Sequence, residues 1–378
     1  MGNDRHGKVH LFAIALVFRL WNKPHYRAGT YQEDLKNNLK NVAIPGTGLA
    51  LSFWVRSKLL LLVFVLVIYP LVCFIGGIRN QFWDLGTYFY EQLIHPVDWF
   101  TLWRINCTLV NYHSGLMSHR VPAYKLEDKW LFLQGAVKKN IPVSDWYTVQ
   151  GVEVAHPLHK SQSGKLFDSV TNSGDWIIQK RIFNSEYIAD MLPKNAPLST
   201  FRVMTIQKNP HPLKSSLNSV HVLSCVFRAG LQDSQTDHSS VLFDVDLKTG
   251  EIKNGTTNNH WYRVGIKKGL TSPWTSDHTI TSHPDSKKQV AGNYIKEIAS
   301  MTELVTEAHK KLLPYVPIAG WDVALTDEGI LLLEVNLSCN FFRGSFDKVV
   351  YFNFVDKYFT YLDTMLVRED IQQKKFII

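Results

Sequence analysis

The longest uninterrupted apolar stretch of the chain covers residues 59–78, which carry no charged side chain. A helix of this length rises about 30 Å, which matches the hydrocarbon core of a bilayer. Basic and aromatic side chains flank both ends, as at a membrane interface. The pattern predicts a single-pass transmembrane helix over residues 59–78 behind an N-terminal tail, residues 1–58. A helix buried in a protein core is the alternative.

After this block the hydrophobic positions either alternate or recur at helical spacing. The predicted strands are 141–143, 176–182, 200–206, 221–227, 241–245, 318–325 and 330–336. The predicted helices are 128–140, 294–313 and a last one marked by Val355, Phe359, Leu362 and Leu366. We therefore predict an aromatic-rich helical linker over residues 79–120 and a mixed α+β domain over residues 121–370.

The charge around the apolar block bears on the orientation of the chain in a membrane. Lys40, Arg56 and Lys58 precede the block, and Arg79 alone follows it closely. The positive-inside rule then favours a lumenal or extracellular C-terminal domain. Asn106 begins one of two glycosylation sequons that would suit this side. ATP, however, is most available in the cytosol, so the side of the membrane stays open.

The composition excludes several classes of function. The chain has 378 residues, of which 45% are hydrophobic and 20% are charged, so it is not a disordered tail. Its 41 basic and 33 acidic residues give a net charge of +8, without a run of five basic residues, which argues against a nucleic-acid partner. Four widely spaced cysteines without a CxxC pair exclude a disulfide scaffold, a zinc ribbon and an iron–sulfur cluster.

The most informative stretch is a predicted hairpin that carries polar side chains on two otherwise apolar strands. Asp322 lies on the first strand, and Glu334 and Asn336 share one face of the second. A tight turn between the strands places Asp322 opposite Glu334 or Val335. Such a cluster of oxygen atoms suits Mg²⁺, with phosphate and water as further ligands. A solvated strand face is the alternative interpretation.

The hairpin motifs, residues 320–324 and 334–336, resemble the metal-binding end of the ATP-grasp fold. The resemblance is to the sugar-transfer associated ATP-grasp family, which is related to the alpha-L-glutamate ligases. The further matching segments, all within residues 120–365, are 128–129 with 141–143, 179–184, 198–205, 244–250, and 283–285 with Gly292. The resemblance implies an ATP-grasp fold of two α+β lobes, with ATP between the lobes.

The resemblance also implies roles for particular residues. Asp322, Glu334 and Asn336 would hold Mg²⁺, and Arg202 would reach the ATP phosphates or the substrate acid through its fork of donors. The side chains implied for the ATP and acceptor sites are Lys129, Lys165, Gln179, Lys180, Ile182 and Arg228. For Arg202, Lys129 and Lys180, an exposed position or a surface ion pair is the alternative.

One segment departs from the family pattern. His156 and Pro157 stand where a Lys-Pro pair would precede the glycine-rich flap over the phosphates. A neutral histidine does not supply the constant charge of lysine, and Lys160 or Lys165 would have to compensate. This departure supports nucleotide binding better than turnover.

Three functions follow from the resemblance. The first is a membrane-anchored ligase that uses ATP and Mg²⁺ to join a carboxylate to an amine or thiol through an acylphosphate. Its substrates would be small acids and amines, and the family name suggests a glycan-linked acceptor. The second is an ATP-binding scaffold protein with reduced catalysis, and the third is an ATP-dependent phosphotransferase. The resemblance favours an enzyme over a scaffold.

Overall fold

The computed structural model describes residues 14–27, 29–42, 51–79, 102–114, 122–150, 153–154, 175–209, 220–234, 240–257, 280–337, 339 and 346–375. These residues form a six-stranded and a three-stranded antiparallel sheet with helices packed around them. Mixed α and β content is therefore confirmed.

The larger sheet contains the strands that carry most of the predicted site. Its strands are β4 (Thr200–Gln207), β5 (Val220–Gly230), β6 (Ser240–Val245), β7 (Ile252–Thr257), β8 (Ile318–Thr326) and β9 (Gly329–Asn336). Their order across the sheet is β7-β6-β5-β4-β8-β9, and every neighbouring pair is antiparallel. The predicted strands at 200–206, 221–227, 241–245, 318–325 and 330–336 are thus confirmed.

One face of this sheet forms the main hydrophobic core. Phe201, Phe227 and Trp321 are fully buried there, and the rings of Phe201 and Phe227 stack with centroids 4.8 Å apart. Met301 and Val305 bring the apolar face of a helix, Ile298–Leu312, into the same core. The helical spacing predicted for 294–313 is confirmed, although the helix begins four residues later.

The smaller sheet has the order β2-β1-β3 and precedes the larger one in the chain. Its strands are β1 (Trp146–Gln150), β2 (Glu153–Val154) and β3 (Asp175–Gln179). The strand predicted over 141–143 is wrong, because those residues lie outside every strand of the structure. Pro142 has no N–H to donate to a ladder, and its carbonyl instead accepts the N–H of Leu332 at 2.9 Å.

A short connection joins the two sheets. After β3, the Lys180 N–H donates to the Asp145 carbonyl beside β1, at 2.9 Å. Four residues later Asn184 forms an isolated bridge with Thr326 of β8, and the Ser185 N–H donates to the Leu325 carbonyl at 2.9 Å. Backbone hydrogen bonds therefore fix both ends of the 180–184 connection.

Nine α-helices lie in the described part of the chain. Numbered in chain order, they are α1 (14–20), α2 (Tyr31–Val42), α3 (Lys58–Val63), α4 (Tyr69–Arg79), α5 (102–114), α6 (Lys129–Lys138), α7 (Glu186–Met191), α8 (Ile298–Leu312) and α9 (Lys348–Lys375). Asp128 caps α6 by accepting the Leu131 N–H at 3.0 Å, which supports the helix predicted there. The last predicted helix is α9.

The N-terminal part of the chain has its own hydrophobic cluster. Leu20 of α1, Leu35 of α2 and Cys107 of α5 are buried together, with Tyr31 fully enclosed. Asn106, which precedes Cys107 and begins one predicted sequon, is fully buried, and its side chain bonds to Cys339 and Tyr351 of the main core. A glycan could not be attached to Asn106 in this fold, so its sequon does not support a lumenal domain.

The apolar block at 59–78 forms helices that are shorter than predicted. A π-helical turn, Phe64–Ile68, separates α3 from α4, and the Tyr69 N–H bonds back to the Phe64 carbonyl. Pro70 follows directly, and its ring and missing N–H disfavour a regular α-helix through this point. Among the described residues, no helix is both long and apolar enough to cross a membrane. The predicted transmembrane helix is therefore not supported.

Candidate functional site

The strand register gathers charged side chains on the sheet face opposite the core. Arg202 of β4 lies directly opposite Asp322 of β8, and Asp322 lies opposite Glu334 of β9. Arg228 of β5 pairs with Thr200, which lies two residues before Arg202 on β4. The side chain of Arg228 therefore lies on the same face of the sheet as that of Arg202. The sequence prediction that Asp322 faces Glu334 or Val335 is resolved in favour of Glu334.

A β-bulge brings Glu334 to this face. Val323 pairs with Leu332, whereas the preceding Asp322 pairs with Glu334, so Leu333 is an extra residue on β9. Without the bulge Asp322 would face Leu333, and Glu334 would point toward the core beside Trp321. The bulge therefore adds Glu334 to the charged row.

Asp322 is the centre of the row. Its Oδ1 accepts the Nε–H of Arg202 at 2.5 Å, and its Oδ2 accepts Nη2 of Arg202 and Nη1 of Arg228, each at 3.1 Å. All three side chains are at least nine-tenths buried. Burial by itself would raise the pKa of Asp322, but the two guanidinium groups outweigh it and lower the pKa to about 2.

Glu334 has the opposite electrostatic setting. Burial raises its pKa, and the charge of Asp322 and a hydrogen bond shared with it raise the pKa further. Asn336 donates its amide to Glu334 Oε1 at 3.2 Å. Glu334 and Asn336 are both half-buried, so this end of the row is more open than the Asp322 end. A nearby cation would compensate the negative charge that accumulates there.

Glu334 and Asn336 fit a Mg²⁺ ion better than Asp322 does. The Asp322 oxygens accept three guanidinium N–H groups and share a bond with Glu334, which fills their usual acceptor positions. In the described part of the chain, no three His, Cys, Asp or Glu side chains form a metal site. One carboxylate and one amide oxygen suffice for Mg²⁺ when phosphates and water complete its shell. The predicted ligand role of Asp322 stays a prediction.

A glycine makes room for the Arg202 side chain. A Cβ on Gly320 would lie 3.1 Å from Arg202 Cδ and 2.8 Å from the Cβ of Cys339. Gly320 pairs with Asn336 across the hairpin. The Gly-Trp-Asp motif therefore gives Arg202 the space to reach Asp322.

The residues predicted at the adenine hinge lie in and beside the connection between the sheets. Gln179 Nε2 donates to Ser144 Oγ at 2.9 Å, and Lys180 forms an ion pair with Glu328 in the β8–β9 turn. The hydrogen bond to Glu328 raises the pKa of Lys180. Ile182 is half-buried and lies in sequence between Lys180 and Asn184, the residue that forms the bridge to Thr326 of β8. The structure thus ties the predicted hinge to the turn of the carboxylate hairpin.

Of the two further lysines predicted at the ATP site, the structure describes Lys129 but not Lys165. Lys129 is exposed in the first turn of α6 and has no hydrogen bond or ion pair with the row among the described residues. Lys165, together with His156 and Lys160 of the altered flap, lies outside the described residues. Their predicted contacts with ATP stay predictions.

Two other family motifs support the site from the core. Trp321 Nε1 donates to Thr205 Oγ1 at 2.8 Å, and Thr205 Oγ1 lies 2.7 Å from Nδ1 of His309, which connects β8, β4 and α8. His283 is fully buried, with Nε2 3.1 Å from the Gly230 carbonyl at the end of β5. These motif residues hold the strands that carry the charged row.

Glu127 is a carboxylate at the end of β9 that the sequence motifs do not reveal. Its Oε1 accepts the N–H of Leu337 at 2.6 Å, and Leu337 directly follows Asn336. The neighbouring Asp128 and Lys129 matched the family pattern and Glu127 did not. Only the fold shows that this carboxylate meets the end of β9.

The antiparallel sheets and the carboxylate–arginine row at the end of the hairpin are typical of an ATP-grasp protein. The family model described as sugar-transfer associated ATP-grasp matches residues 145–342, slightly more than half of the chain. The chain therefore belongs to the sugar-transfer associated ATP-grasp family. No curated protein matches the chain.

Several solved structures of ligases and synthetases resemble the chain weakly. N5-carboxyaminoimidazole ribonucleotide synthetase from Thermotoga maritima has 12% identity and a TM-score of 0.28, with 56% of this chain and 41% of that chain covered. L-amino acid ligase from Bacillus licheniformis has 12% identity and a TM-score of 0.29, with coverages of 57% and 41%. D-alanine-D-alanine ligase from Coxiella burnetii has 9% identity and a TM-score of 0.30, with coverages of 68% and 63%. This chain thus spans less than two thirds of each of these proteins, and the assignment rests on the family match.

Proposed function

We propose that this chain is a ligase that uses ATP and Mg²⁺ to join a carboxylate to an amine or thiol. ATP-grasp enzymes generally use these cofactors, and the family match supports the same chemistry here. The observation that carries the proposal is the buried row in which Asp322 fixes Arg202 and Arg228 beside Glu334. Such a row offers both the cations and the oxygen ligands that a triphosphate with Mg²⁺ requires.

The proposed reaction has two steps. A substrate carboxylate oxygen attacks the γ-phosphorus of ATP, and ADP leaves with the electrons of the broken P–O bond. The amine nitrogen or thiolate then attacks the acyl carbon, and inorganic phosphate leaves. Arg202 and Arg228, held rigidly by Asp322, stabilise negative charge on the transferring phosphoryl group. The family description makes a glycan-linked acceptor part of the proposal.

A second candidate is a protein that binds ATP without turning it over. The engagement of both Asp322 oxygens by arginine favours this candidate, because one fewer carboxylate faces the metal. ADP release separates the candidates. A ligase releases ADP over many turnovers only when an acid and an amine or thiol are both present, because the second substrate must consume the acylphosphate, whereas a phosphotransferase releases ADP over many turnovers without an amine or thiol. Binding of ATP without ADP release under any substrate mixture would overturn the ligase proposal.

We also propose that the helical segment 58–79 contacts a lipid surface. Its exposed apolar side chains recur at spacings of three and four residues, and they are Leu59, Leu62, Val63, Leu66, Val67, Leu71, Phe74 and Ile78. Arg56 and Lys58 are exposed where the segment begins, next to where anionic headgroups would lie. A bilayer surface suits this combination of an apolar face and basic flank. The side of the membrane stays a prediction.

Vesicle binding tests the lipid contact with a matched pair of valines. Val67 and Val137 are each 55% exposed, but Val137 lies on α6, far along the chain. We expect Val67→Glu to reduce co-sedimentation of the full chain with vesicles of phosphatidylcholine and phosphatidylglycerol, and Val137→Glu to leave it unchanged. Equal binding by the two variants would contradict the lipid contact.

A further inference from the structure

The Glu127 carboxylate joins three separate parts of the chain. Its Oε2 accepts Arg27 Nε at 2.6 Å and the Tyr26 hydroxyl at 2.9 Å. Its Oε1 accepts Arg27 Nη2 at 2.9 Å and the Leu337 N–H at 2.6 Å. Paired N–H donors from one guanidinium group and a charged acceptor make these hydrogen bonds strong and directional. The Glu127 carboxylate is therefore held in place by the side chains of Tyr26 and Arg27. It in turn holds the backbone N–H of Leu337.

Leu337 is the first residue after β9, the strand that carries Glu334 and Asn336. Its buried side chain and its held N–H together set the direction in which the chain leaves β9. Asn336 in turn donates to Glu334 at 3.2 Å. A shift of the backbone at Leu337 would therefore be passed to the two proposed Mg²⁺ ligands.

The turn that presents Arg27 is itself rigid. Asn111 of α5 accepts the Tyr26 N–H at 3.0 Å and donates to the Pro24 carbonyl at 3.3 Å. Arg27 Nη1 also donates to Asp34 of α2 at 3.4 Å. Helices α5 and α2 thus hold the turn in the position from which Arg27 and Tyr26 donate hydrogen bonds to Glu127.

A second contact reaches the same stretch of chain from α5. Asn106 donates its amide to the Cys339 carbonyl at 3.1 Å, and the Tyr351 hydroxyl donates to Asn106 Oδ1 at 2.7 Å. Asn106, Glu127 and Arg27 all lie outside the segment that the family model matches, 145–342. Leu337 and Cys339 are therefore held by residues outside the segment that the family model matches.

We propose that Glu127 is a positioning residue of the nucleotide site and that Arg27 acts through it. In this role the N-terminal segment completes the Mg²⁺–nucleotide site by fixing the chain after Asn336, instead of serving only as a tail. The proposal rests on the proposed ATP- and Mg²⁺-dependent function. It makes the affinity for Mg²⁺ with nucleotide depend on Glu127 and on Arg27, which lies more than 300 positions before β9 in sequence and is brought near β9 only by the fold.

The test compares Glu127→Gln and Arg27→Gln in the full chain with two control variants. Glu307→Gln removes a carboxylate that pairs with Lys310 on α8, and Arg19→Gln removes an exposed arginine of the same N-terminal region. The first measurement is hydrogen exchange in the peptide that contains Leu337, without nucleotide or metal. We expect faster exchange in Glu127→Gln and Arg27→Gln, because the held N–H is released, and wild-type exchange in both controls.

The second measurement is the Mg²⁺ concentration that half-saturates ATP binding. We expect this concentration to rise about tenfold in Glu127→Gln, which is at the low end of the losses seen when outer groups that orient metal ligands are removed, because Glu127 acts on Asn336 through the neighbouring Leu337. Arg27→Gln should shift it in the same direction by a smaller factor. The double variant should match Glu127→Gln alone, because Arg27 acts through Glu127. Additive effects would contradict that coupling.

The outcomes distinguish this proposal from the function on which it rests. Wild-type exchange and wild-type Mg²⁺ dependence in Glu127→Gln would overturn the positioning role. Faster exchange with unchanged Mg²⁺ dependence would also overturn it and leave a purely structural contact. If the wild-type chain binds no ATP with Mg²⁺, the proposed function fails and the positioning role fails with it. The milder Arg27→Gln keeps the test decisive if Glu127→Gln does not fold, since Arg27 is 38% exposed.

Discussion

The Asp322 carboxylate is bound by two buried arginines, and this arrangement changes what a substitution there tests. Arg202 and Arg228 each lie within 3.1 Å of an Asp322 oxygen and are less than a tenth exposed. Removing the carboxylate leaves two positive charges buried close together. Loss of activity in such a variant would therefore report damage to the fold as well as to the site.

We predict that Asp322→Ala is destabilised by about 3–5 kcal/mol, the usual cost of breaking a buried ion pair. Glu334→Gln should keep nearly the wild-type stability, because burial and the charge of Asp322 raise the pKa of Glu334 and so oppose its negative charge, which glutamine lacks. Urea unfolding followed by tryptophan fluorescence measures both. If Asp322→Ala unfolds at the wild-type urea midpoint, the two arginines do not depend on this carboxylate.

At the scale of elements, β9 shows what a period-two pattern cannot reveal. Alternation along the strand correctly places Glu334 and Asn336 on one face. The face that they share with Asp322 depends on the bulge at Leu333, which moves every later side chain to the other side of the strand. Leu333 carries no sequence signal that separates it from Leu331 and Leu332, so the register had to come from the fold.

Strands without alternating hydrophobic residues were also missed. β7 has the polar sequence Ile-Lys-Asn-Gly-Thr-Thr at the edge of the larger sheet, and β2 has only two residues. In β7, Gly255 leaves room for the Phe243 ring, which a Cβ would approach at 2.7 Å. The position of β7 therefore depends on packing against Phe243 of the neighbouring strand, which the sequence of β7 does not show. Central strands such as β4 and β8 can be predicted from their own buried residues.

The Thr205 hydroxyl connects β4, β8 and α8, and we predict that Thr205→Val weakens this connection. The valine removes the acceptor for Trp321 Nε1 and the donor to His309 Nδ1, and each loss leaves a buried polar group without its partner. The expected cost is about 1–3 kcal/mol for each unsatisfied group. Thr302→Val, at a half-buried position of α8 where the hydroxyl donates to the Ala299 carbonyl of the same helix, is a matched control. Equal urea midpoints for the two variants would contradict the role of Thr205.

At the scale of the whole molecule, buried histidines couple folding to pH. Burial lowers the pKa of His309 to about 4, and burial likewise lowers the pKa of His113 to about 4. Both values lie below the ordinary histidine pKa of 6.5, so the unfolded chain binds more protons between pH 6.5 and 4. The contribution of these two histidines to the free energy of unfolding is therefore complete above pH 6.5 and is lost as the pH falls toward 4.

We predict that the free energy of unfolding decreases steadily from pH 7 to pH 5. Each buried neutral histidine contributes a loss of up to about 3 kcal/mol by pH 4. The low pKa of Asp322, about 2, keeps its own contribution to acid unfolding below pH 4. Urea midpoints at pH 7, 6 and 5 measure the effect, and a constant midpoint over this range would show that these histidines titrate normally.

The family motifs predicted the carboxylate hairpin and its neighbouring strands because each motif is a short run of residues on a single strand or turn. Glu127 and Arg27 could not be found in this way, since a single carboxylate and a single arginine far from the hairpin have no pattern. For residues 59–78, the sequence misled in a different way. Their apolar composition predicted one spanning helix, but a π-helical turn before Pro70 divides the segment into α3 and α4.

Mg²⁺-dependent ATP binding by the full chain, measured by isothermal titration calorimetry, tests the central claim most directly. We predict that the wild-type chain binds ATP with Mg²⁺ and binds it much more weakly without Mg²⁺. Glu334→Gln should lose at least about tenfold of the Mg²⁺-dependent affinity while keeping the wild-type urea midpoint. Wild-type affinity in Glu334→Gln, or no ATP binding by the wild-type chain, would contradict the site and the function proposed for it.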